Sequence, residues 1–424
     1  MRTPALRPGG GRCRIRPSAQ ADTGAGRNGV GISIGLVGLG AFGSEFAPLF
    51  KSHPLVDRVA LCDREPERVK RFAQAPTFQE KVRPSDLYAS LDEICAADLD
   101  ALVIITQPWL HAPQAIRAME SGKRVYSAVP VIWLPDGEEV LEWCDKVTRA
   151  SRRTGMSYML GETTYYRPQA MYCRRKAREG AFGDFTYAEG EYFHPHDWPP
   201  ADLRKVKKSR EASAAGQEWL AIQAGYDARG IRQTPMTYPT HSTSGPMTVM
   251  RAHAVRAAAF GWKTRSTDPY FGDYRFTNVS ALYRMSNGSQ MRICEHRELA
   301  YPSGDLFEHE TFRIFGTIGT FRENRWADKD RWETLTVAQM RDPLPPEVAE
   351  AFRRECGEPG MYGGHGGSHA YLVHEFVDAV AHDRQPAINA WEAARYMAAG
   401  IAAERSALRD GETQDVADWG DAPS

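Results

Sequence analysis

The sequence lacks the features that mark membrane and extracellular proteins. No apolar run among its 424 residues approaches the ~18–20 residues that span a bilayer, so we expect no membrane partner. Its seven cysteines are scattered and form no CxxC pair, so we expect no disulfide framework and predict a reducing, cytoplasmic compartment. The formal net charge is −1. An excess of positive charge is therefore missing, and we expect no nucleic-acid partner.

Residues 1–31 differ in composition from the rest of the chain, because they are rich in arginine, glycine and proline. They contain no apolar stretch typical of a secretory signal. Their acid-poor, arginine-rich character resembles an organelle transit peptide but lacks an amphipathic period. We therefore expect a disordered tail. The chain length favours two or three domains, and the patterns below place two, at 32–160 and 161–424.

A short apolar run at residues 32–37, ISIGLV, leads into the glycine turn GLGAFG and then into a helical pattern from Ser44. Gly38 suits a tight turn, and Gly40 allows the backbone to approach a pyrophosphate. Gly43 allows close packing of the helix on the strand. This order is typical of a dinucleotide site that holds the phosphates at the helix N-terminus.

A second strand, RVALC, ends at Asp63, about 20 residues beyond the glycine turn, where an acidic side chain binds the adenosine ribose. A carboxylate at this place repels a 2′-phosphate, so the sequence favours NAD over NADP as the cofactor. Arg64 gives the opposite signal, because an arginine beside the ribose could pair with the phosphate of NADP.

Strands and helices alternate up to residue 160, which predicts an α/β Rossmann domain with a doubly wound parallel sheet and helices on both faces. In such sheets ligands bind beyond the carboxyl ends of the strands. Candidate site residues lie at or just past the predicted strand ends, and they are Gly38, Asp63, Thr106, Ala128 and Glu162.

Strands dominate after residue 165, which predicts a C-terminal α+β domain with an open, mostly antiparallel sheet. The turn SNGS at 286–289 is a strong hairpin signal. We expect the Rossmann half to cover one sheet face, and an exposed face makes a homo-oligomer plausible. Residues 195–236 look loop-rich. The predicted strands are 184–194, 275–285, 289–298, 310–316 and 319–324, with helices at 167–180, about 369–382 and about 391–408.

Two polar motifs near the start of this loop-rich stretch have competing interpretations. The basic segment at 202–211, DLRKVKKSRE, is either a solvated loop or a clamp for an anionic substituent of a sugar substrate. HPHD at 194–197 contains metal-ligand residue types, but their spacing fits no standard site and we expect no metal.

The stretch TYPTHSTSG at 237–245 is too polar for a core strand or helix. Tyr238 and His241 are spaced so that a helical turn would point both side chains into one pocket. Gly245 and Pro246 then suit the start of the following helix. We therefore expect the first half of this stretch to carry chemistry and the second half to shape the helix entry.

The order of GLGAFG, Asp63, TQPWLH, GKRVYSAVP and a strand-rich domain with a central histidine resembles the Gfo/Idh/MocA oxidoreductases over roughly residues 32–410. Members oxidise or reduce sugars, cyclitols and related alcohols with NAD or NADP. Their usual catalytic groups are the lysine of a Glu-Lys-Pro motif and an Asp–His pair. Here Val129 replaces the lysine and Thr237 stands where the aspartate is expected, so the usual proton shuttle is missing.

Four motifs, SAVP, GETTYY, EGEYFH and YPTH, resemble a branch of NAD-dependent glycoside hydrolases that includes α-N-acetylgalactosaminidases. The resemblance implies transient oxidation of the sugar at C3, elimination of the aglycone, water addition, and re-reduction with the retained NADH. The alternatives are a sugar or cyclitol dehydrogenase that forms a 3-keto product, and a non-enzymatic sensor of NAD or sugar. Implied cofactor contacts are Ala41, Phe42, Asp63, His111, Ala128, Val129 and Thr163.

The same resemblance implies active-site roles for Glu162, Tyr192, Tyr238 and His241. Tyr238 is interpreted as the base at the C3 hydroxyl, and His241 as its partner or proton relay. Tyr192 is interpreted as the base at C2, and Glu162 as the acid for the leaving oxygen or as a group that orients water. The last two roles are interchangeable. His365, in GGHGGSH, either joins this site or belongs to a structural turn.

Overall fold

The computed structural model describes residues 31–195, 204, 207–208, 211–300, 310–358 and 360–423. The predicted disordered tail lies outside the described residues, apart from Gly31. Within the described ranges, no helix is both long enough and apolar enough to cross a bilayer.

The first sheet confirms the predicted doubly wound architecture. Within the described residues it has six strands, all paired in parallel, in the order β3-β2-β1-β4-β5-β6. Its inner strands are almost continuously buried, as a parallel sheet covered on both faces requires. The strands are β1 (Ile32–Val37), β2 (Val56–Cys62), β3 (Leu87–Tyr88), β4 (Ala101–Ile104), β5 (Arg124–Ser127) and β6 (Tyr158–Leu160).

The helices between these strands follow local capping rules. The Asp136 carboxylate accepts a hydrogen bond from the Glu138 amide at 2.9 Å, and Gly155 ends the same helix in the left-handed region. The helix after the glycine turn begins at Ala41 rather than at the expected Ser44. The helices are α1 (Ala41–Ser52), α2 (Pro66–Ala73), α3 (Pro76–Gln79), α4 (Leu91–Ala96), α5 (His111–Glu120) and α6 (Gly137–Thr154).

The second sheet is mixed and mostly antiparallel, as predicted, and the SNGS turn joins β9 to β10. As far as the described residues extend, its order is β14-β13-β12-β11-β7-β10-β9-β8-β15, and only β7 and β10 pair in parallel. Its strands are β7 (Phe185–Phe193), β8 (Ala254–Trp262), β9 (Asn278–Met285), β10 (Gln290–His296), β11 (Glu310–Gly316), β12 (Thr320–Arg322), β13 (Arg325–Ala327), β14 (Trp332–Thr334) and β15 (Gln414–Asp415).

One prediction for the second half was wrong, because residues 195–236 contain a long helix, Ala214–Ala228. Its buried residues Ala215, Trp219 and Tyr226 have helical spacing, but Gly216 and Gly225 obscure the pattern. The helices of this half are α7 (Pro168–Arg178), α8 (Ala214–Ala228), α9 (Thr240–Met250), α10 (Val337–Met340), α11 (Pro346–Cys356), α12 (His369–Ala381) and α13 (Ala390–Leu408).

The expected cover of the second sheet also needs correction. Helices α9 and α13 of the second half pack on the sheet, and α13 contacts α6 and β6 of the first half on its other side. The opposite sheet face carries Phe260, Trp262 and Leu282, which are 65%, 46% and 50% exposed. The first sheet ends with β6, and a domain boundary at residue 160 stays a prediction.

Candidate functional site

The glycine turn between β1 and α1 has the shape of a dinucleotide cradle. Gly38 has a φ of 92°, and a Cβ atom there would lie 2.2 Å from the carbonyl oxygen of Ile105. A Cβ atom on Gly43 would lie 2.0 Å from the Gly38 oxygen, whereas one on Gly40 would meet nothing closer than 3.9 Å. The turn is therefore closed on the strand side and open at Gly40, before the first turn of α1.

Asp63 lies at the end of β2 and ties two loops together. Its buried carboxylate accepts hydrogen bonds from the Leu39 amide at 2.7 Å and the Glu65 amide at 2.9 Å. Arg68 lies 3.4 Å from the same carboxylate. Arg64 pairs with Glu218 of α8, with nitrogen–oxygen distances of 2.9 Å. The predicted ribose site thus has a fixed acid and an arginine that is already paired.

The other predicted cofactor residues surround the same strand ends. Both ring nitrogens of the buried His111 face backbone oxygens, that of Pro130 at 2.9 Å and that of Thr106 at 3.3 Å, and a neutral ring donates a hydrogen bond to one of them. Burial lowers the pKa of His111, so the ring is neutral at pH 7. Val129 is half-buried just beyond β5. Ala41 at these ends is exposed, Phe42 is half-buried and Ala128 is buried. Thr106 is half-buried, and its hydroxyl donates a hydrogen bond to Gln114.

The predicted catalytic residues come together around His241. Its Nε2 lies 3.3 Å from the Tyr238 hydroxyl, and its Nδ1 lies 2.9 Å from Oε1 of Glu162. The ring of Tyr192 lies 4.9 Å from the His241 ring, centroid to centroid. Tyr238 precedes α9, and the first turn of that helix points His241 into the cluster. The four side chains thus converge from β7, α9 and the segment after β6.

The interpretation of the segment after His241 was wrong. Helix α9 begins at Thr240 and contains Pro246, so Gly245 and Pro246 do not open it. Residues 242–246 are buried inside the helix. The Ser242 hydroxyl donates to the buried carboxylate of Glu295. The hydroxyl-rich sequence is therefore suited to a helix that packs against a sheet carrying acidic side chains.

Two acidic residues that the sequence reasoning missed flank Tyr192 on the same sheet face. The register places Glu310 of β11 and Glu295 of β10 directly opposite Tyr192. Glu310 Oε2 lies 3.9 Å from His241 Nδ1 and 2.7 Å from the Arg167 guanidinium. The same oxygen accepts a hydrogen bond from the Thr164 hydroxyl at 3.0 Å. Only strand register brings these residues together, so no local motif could identify them.

His365 belongs to a turn, as one of the two interpretations of its sequence expected. It lies in a short 3₁₀ turn, and its Nδ1 is 2.8 Å from Nε2 of His369. It also approaches Phe42 at the start of α1, with ring centroids 5.8 Å apart. Burial lowers the pKa of His365 to about 4, and the charges of Glu310 and His241 also act on it. The turn therefore brings a neutral imidazole beside the cluster.

Charges within the cluster fix the protonation state of His241. Burial alone would lower its pKa, but the carboxylates of Glu162 and Glu310 raise it to about 9. Burial raises the pKa of Glu162, but the His241 charge and the hydrogen bonds to the carboxylate together lower it. Burial likewise acts against ionisation of Glu310, but Arg167, His241 and further partners lower its pKa to about 2. Burial raises the pKa of Tyr192 well above its usual value. At pH 7 the cluster is an imidazolium between two carboxylates, beside a neutral phenol.

Several buried polar atoms at this site have no hydrogen-bond partner among the described residues, and they include Oε2 of Glu162 and Oγ1 of Thr163. Such orphaned groups cost free energy unless a ligand or water satisfies them. Both residues follow β6, at the edge of the sheet where the glycine turn opens. The open turn, the fixed Asp63 and these orphaned atoms fit a dinucleotide and a polar second ligand.

The two motifs with competing interpretations lie partly outside the described residues. Arg204 forms an ion pair with Asp268, and Lys207 lies 3.0 Å from Asp273, so these two cations already face acids. Lys208 and Glu211 are also among the described residues, and the rest of the basic segment is not. The last two residues of HPHD lie outside the described residues as well. In the ranges that are described, no group of three histidine, cysteine or acidic residues could hold a metal ion.

Comparison with known families confirms the predicted resemblance. Residues 32–159 match a family model described as "Oxidoreductase family, NAD-binding Rossmann fold", named GFO_IDH_MocA. Solved structures share the fold along most of the chain. An oxidoreductase from Agrobacterium radiobacter in complex with NAD+, L-tartaric acid and magnesium has a TM-score of 0.64 at 14% identity, covering 91% of this chain and 98% of its own. An aldose-aldose oxidoreductase from Caulobacter crescentus has a TM-score of 0.65 at 16% identity, with coverages of 91% and 100%.

Curated relatives add the glycosidase branch. A glycosyl hydrolase family 109 protein of Shewanella pealeana is 30% identical over 41% of this chain and 37% of its own length. An alpha-N-acetylgalactosaminidase of Shewanella oneidensis is 25% identical over 65% of this chain and 54% of its own. A family 109 protein of Stenotrophomonas maltophilia is 24% identical over 92% and 89%. The chain thus spans about a third to a half of the first two relatives. The match of residues 32–159 to a family of NAD-binding oxidoreductases confirms the prediction of NAD as the cofactor and agrees with the prediction of an NAD-dependent enzyme.

Proposed function

We propose that this NAD-dependent enzyme, which resembles the Gfo/Idh/MocA oxidoreductases and glycosyl hydrolase family 109, is a glycoside hydrolase. The observation that carries the proposal is the hydrogen-bonded line Tyr238–His241–Glu162. It stands in a chain that has Val129 where dehydrogenases of this type use lysine. NAD, when bound, supplies a reversible hydride acceptor for C3 of the sugar.

Tyr238 removes the proton of the C3 hydroxyl in this proposal. A phenol is a weak acid with an ordinary pKa near 10, so it needs a neighbouring cation to act as a base. The protonated His241, 3.3 Å away, supplies that cation. Glu162 holds the ring by its Nδ1 and keeps it charged. The pair therefore replaces the lysine and aspartate of related enzymes.

The protonation states favour exchanging the roles first suggested for Glu162 and Tyr192. Glu162 is ionised and its Oε2 has no partner among the described residues, so it is suited to accept the C2 proton. Tyr192 is a neutral phenol, so it is suited to protonate the departing glycosidic oxygen. Water then adds at C1 and the proton transfers run in reverse. The net reaction is hydrolysis, with glycoside and water giving sugar and alcohol.

A panel of aryl glycosides with catalytic amounts of NAD+ tests the proposal. Aglycone release without stoichiometric NADH is the expected result. Stoichiometric NADH, with a 3-keto product, would instead identify a sugar or cyclitol dehydrogenase. Absence of both signals, with NAD binding retained, would identify a sensor. Including sulfated and carboxylated glycosides in the panel tests the anionic substituent that the basic segment suggested.

The exposed sheet face suggests a second copy of the chain as the partner. Phe260, Trp262 and Leu282 form an apolar strip there, which we propose as a homo-oligomer contact. Analytical ultracentrifugation of the protein and of a variant with all three changed to serine tests this, since only the unchanged protein should sediment as an oligomer. A cytoplasmic location stays a prediction.

A further inference from the structure

Three arginines surround the predicted ribose end of the cofactor site, and each is engaged by the protein. Arg68 lies 3.4 Å from the carboxylate of Asp63, and Arg71 donates to the backbone oxygen of Leu39 at 3.4 Å. Arg64 is held more firmly, because Nη1 and Nη2 both lie 2.9 Å from the carboxylate of Glu218. A site this rich in arginine would accept a 2′-phosphate if the arginines were free.

We propose that Glu218 is a specificity-determining residue that excludes NADP by holding Arg64. The carboxylate occupies the guanidinium edge that would otherwise bind a phosphate bidentately. It also adds a second negative charge to that of Asp63 on the side where the 2′-phosphate would lie. Glu218 belongs to α8, far from the glycine turn in sequence. Discrimination between the cofactors is therefore shared between the two halves of the chain.

The position of Glu218 is fixed by the anchoring of α8 on the first half. Trp219, the next residue, stacks between Trp109 and Trp133, with centroid distances of 4.9 Å on both sides. At the other end of the helix, the Tyr226 hydroxyl donates to Glu139 of α6 at 2.6 Å. The side chains of Arg64 and Glu218 are 40% and 54% exposed, so the ion pair alone adds little to the stability of this arrangement. Because α8 is held at both ends, little conformational entropy is lost when the Glu218 carboxylate pairs with Arg64.

The test compares dissociation constants for NAD+ and NADP+ by calorimetry, using the full chain freed of bound nucleotide. Glu218→Gln keeps the shape but removes the charge. We expect its affinity for NADP+ to rise about tenfold, the size of one partly exposed arginine–phosphate contact, with NAD+ affinity unchanged within about twofold. In an Arg64→Ala background the same change should give a clearly smaller gain, because it removes only the repulsion by the Glu218 charge and releases no arginine.

Asp227→Asn is the matched control, because it removes an exposed acidic charge from the same helix and leaves the Arg64–Glu218 pair and the Tyr226 anchor in place. Its ratio of NADP+ to NAD+ affinity should equal that of the unchanged protein. An unchanged ratio in Glu218→Gln overturns the proposal. So does an equal gain in the Arg64→Ala background, or an equal gain in Asp227→Asn. The readout is binding alone, so a failed glycosidase assay would not affect it.

Discussion

Nδ1 of His241 lies 2.9 Å from Oε1 of Glu162, and both side chains are buried. A buried carboxylate and imidazole at this distance share a strong, charge-assisted hydrogen bond. The pairing leaves Nε2 of the ring to face Tyr238. Because Glu310 adds a second carboxylate at 3.9 Å, His241 is held as a cation and its charge is directed towards the phenol. The proposed chemistry depends on this arrangement.

Replacing Tyr238 by phenylalanine should remove the base at C3 and leave the fold intact. We expect kcat for an aryl glycoside to fall ~10²–10⁴-fold, the range for losing a general base. The dissociation constant for NAD+, measured by calorimetry, should stay within about twofold. Tyr187→Phe is the control, because that tyrosine lies on β7 and its hydroxyl donates to Glu189, away from the cluster. Unaltered turnover in Tyr238→Phe would remove this residue from the mechanism.

His241→Asn should destabilise the protein in a pH-dependent way. The pKa of His241 is raised to about 9 from an unfolded value near 6.5, so the folded state binds the proton more tightly. Its contribution, about 3 kcal/mol, is fully present below pH 6.5 and lost as the pH rises through 9. Urea unfolding at several pH values should show the difference between the two proteins shrinking over that window.

The control for this titration is His53→Asn. Burial lowers the pKa of His53 to about 3, so that ring is neutral throughout the same window. The effect of its replacement on the free energy of unfolding should therefore not change between pH 6.5 and 9. A His241→Asn penalty that is equally flat would contradict the assignment of a buried imidazolium.

Local sequence patterns predicted the parts of the site that local structure builds. The glycine turn, Asp63 at a strand end and the Tyr238–His241 turn follow from short-range rules. Glu310 and Glu218 could not be predicted, because strand register and the packing of α8 bring them from distant parts of the chain. The prediction that the Rossmann half covers the second sheet was wrong for the same reason. Which helices fill a sheet face depends on packing between elements, which periodicity does not contain.

Asp63→Ala should weaken NAD+ binding for two reasons. The ribose loses its predicted acceptor, and the amides of Leu39 and Glu65 lose the carboxylate that fixes the glycine turn. We expect the dissociation constant for NAD+ to rise about tenfold or more, since each lost charge-assisted hydrogen bond is worth ~1.5–3 kcal/mol. Asp63→Asn keeps one acceptor oxygen and should be intermediate. Equal NAD+ affinity in Asp63→Ala and the unchanged protein would show that the ribose assignment is wrong.

Gly43→Ala and Gly40→Ala test the glycine turn. We expect the first to lower the stability of the protein and the second to lower its affinity for NAD+. A methyl group at Gly43 would lie 2.0 Å from the Gly38 oxygen, so the helix must move and the protein should lose ~1–3 kcal/mol of stability. A methyl group at Gly40 meets nothing closer than 3.9 Å, and φ there is −70°. Gly40→Ala should therefore unfold at the same urea concentration as the unchanged protein. Its NAD+ affinity should nevertheless fall about tenfold, because the methyl group occupies the space where the pyrophosphate approaches the backbone.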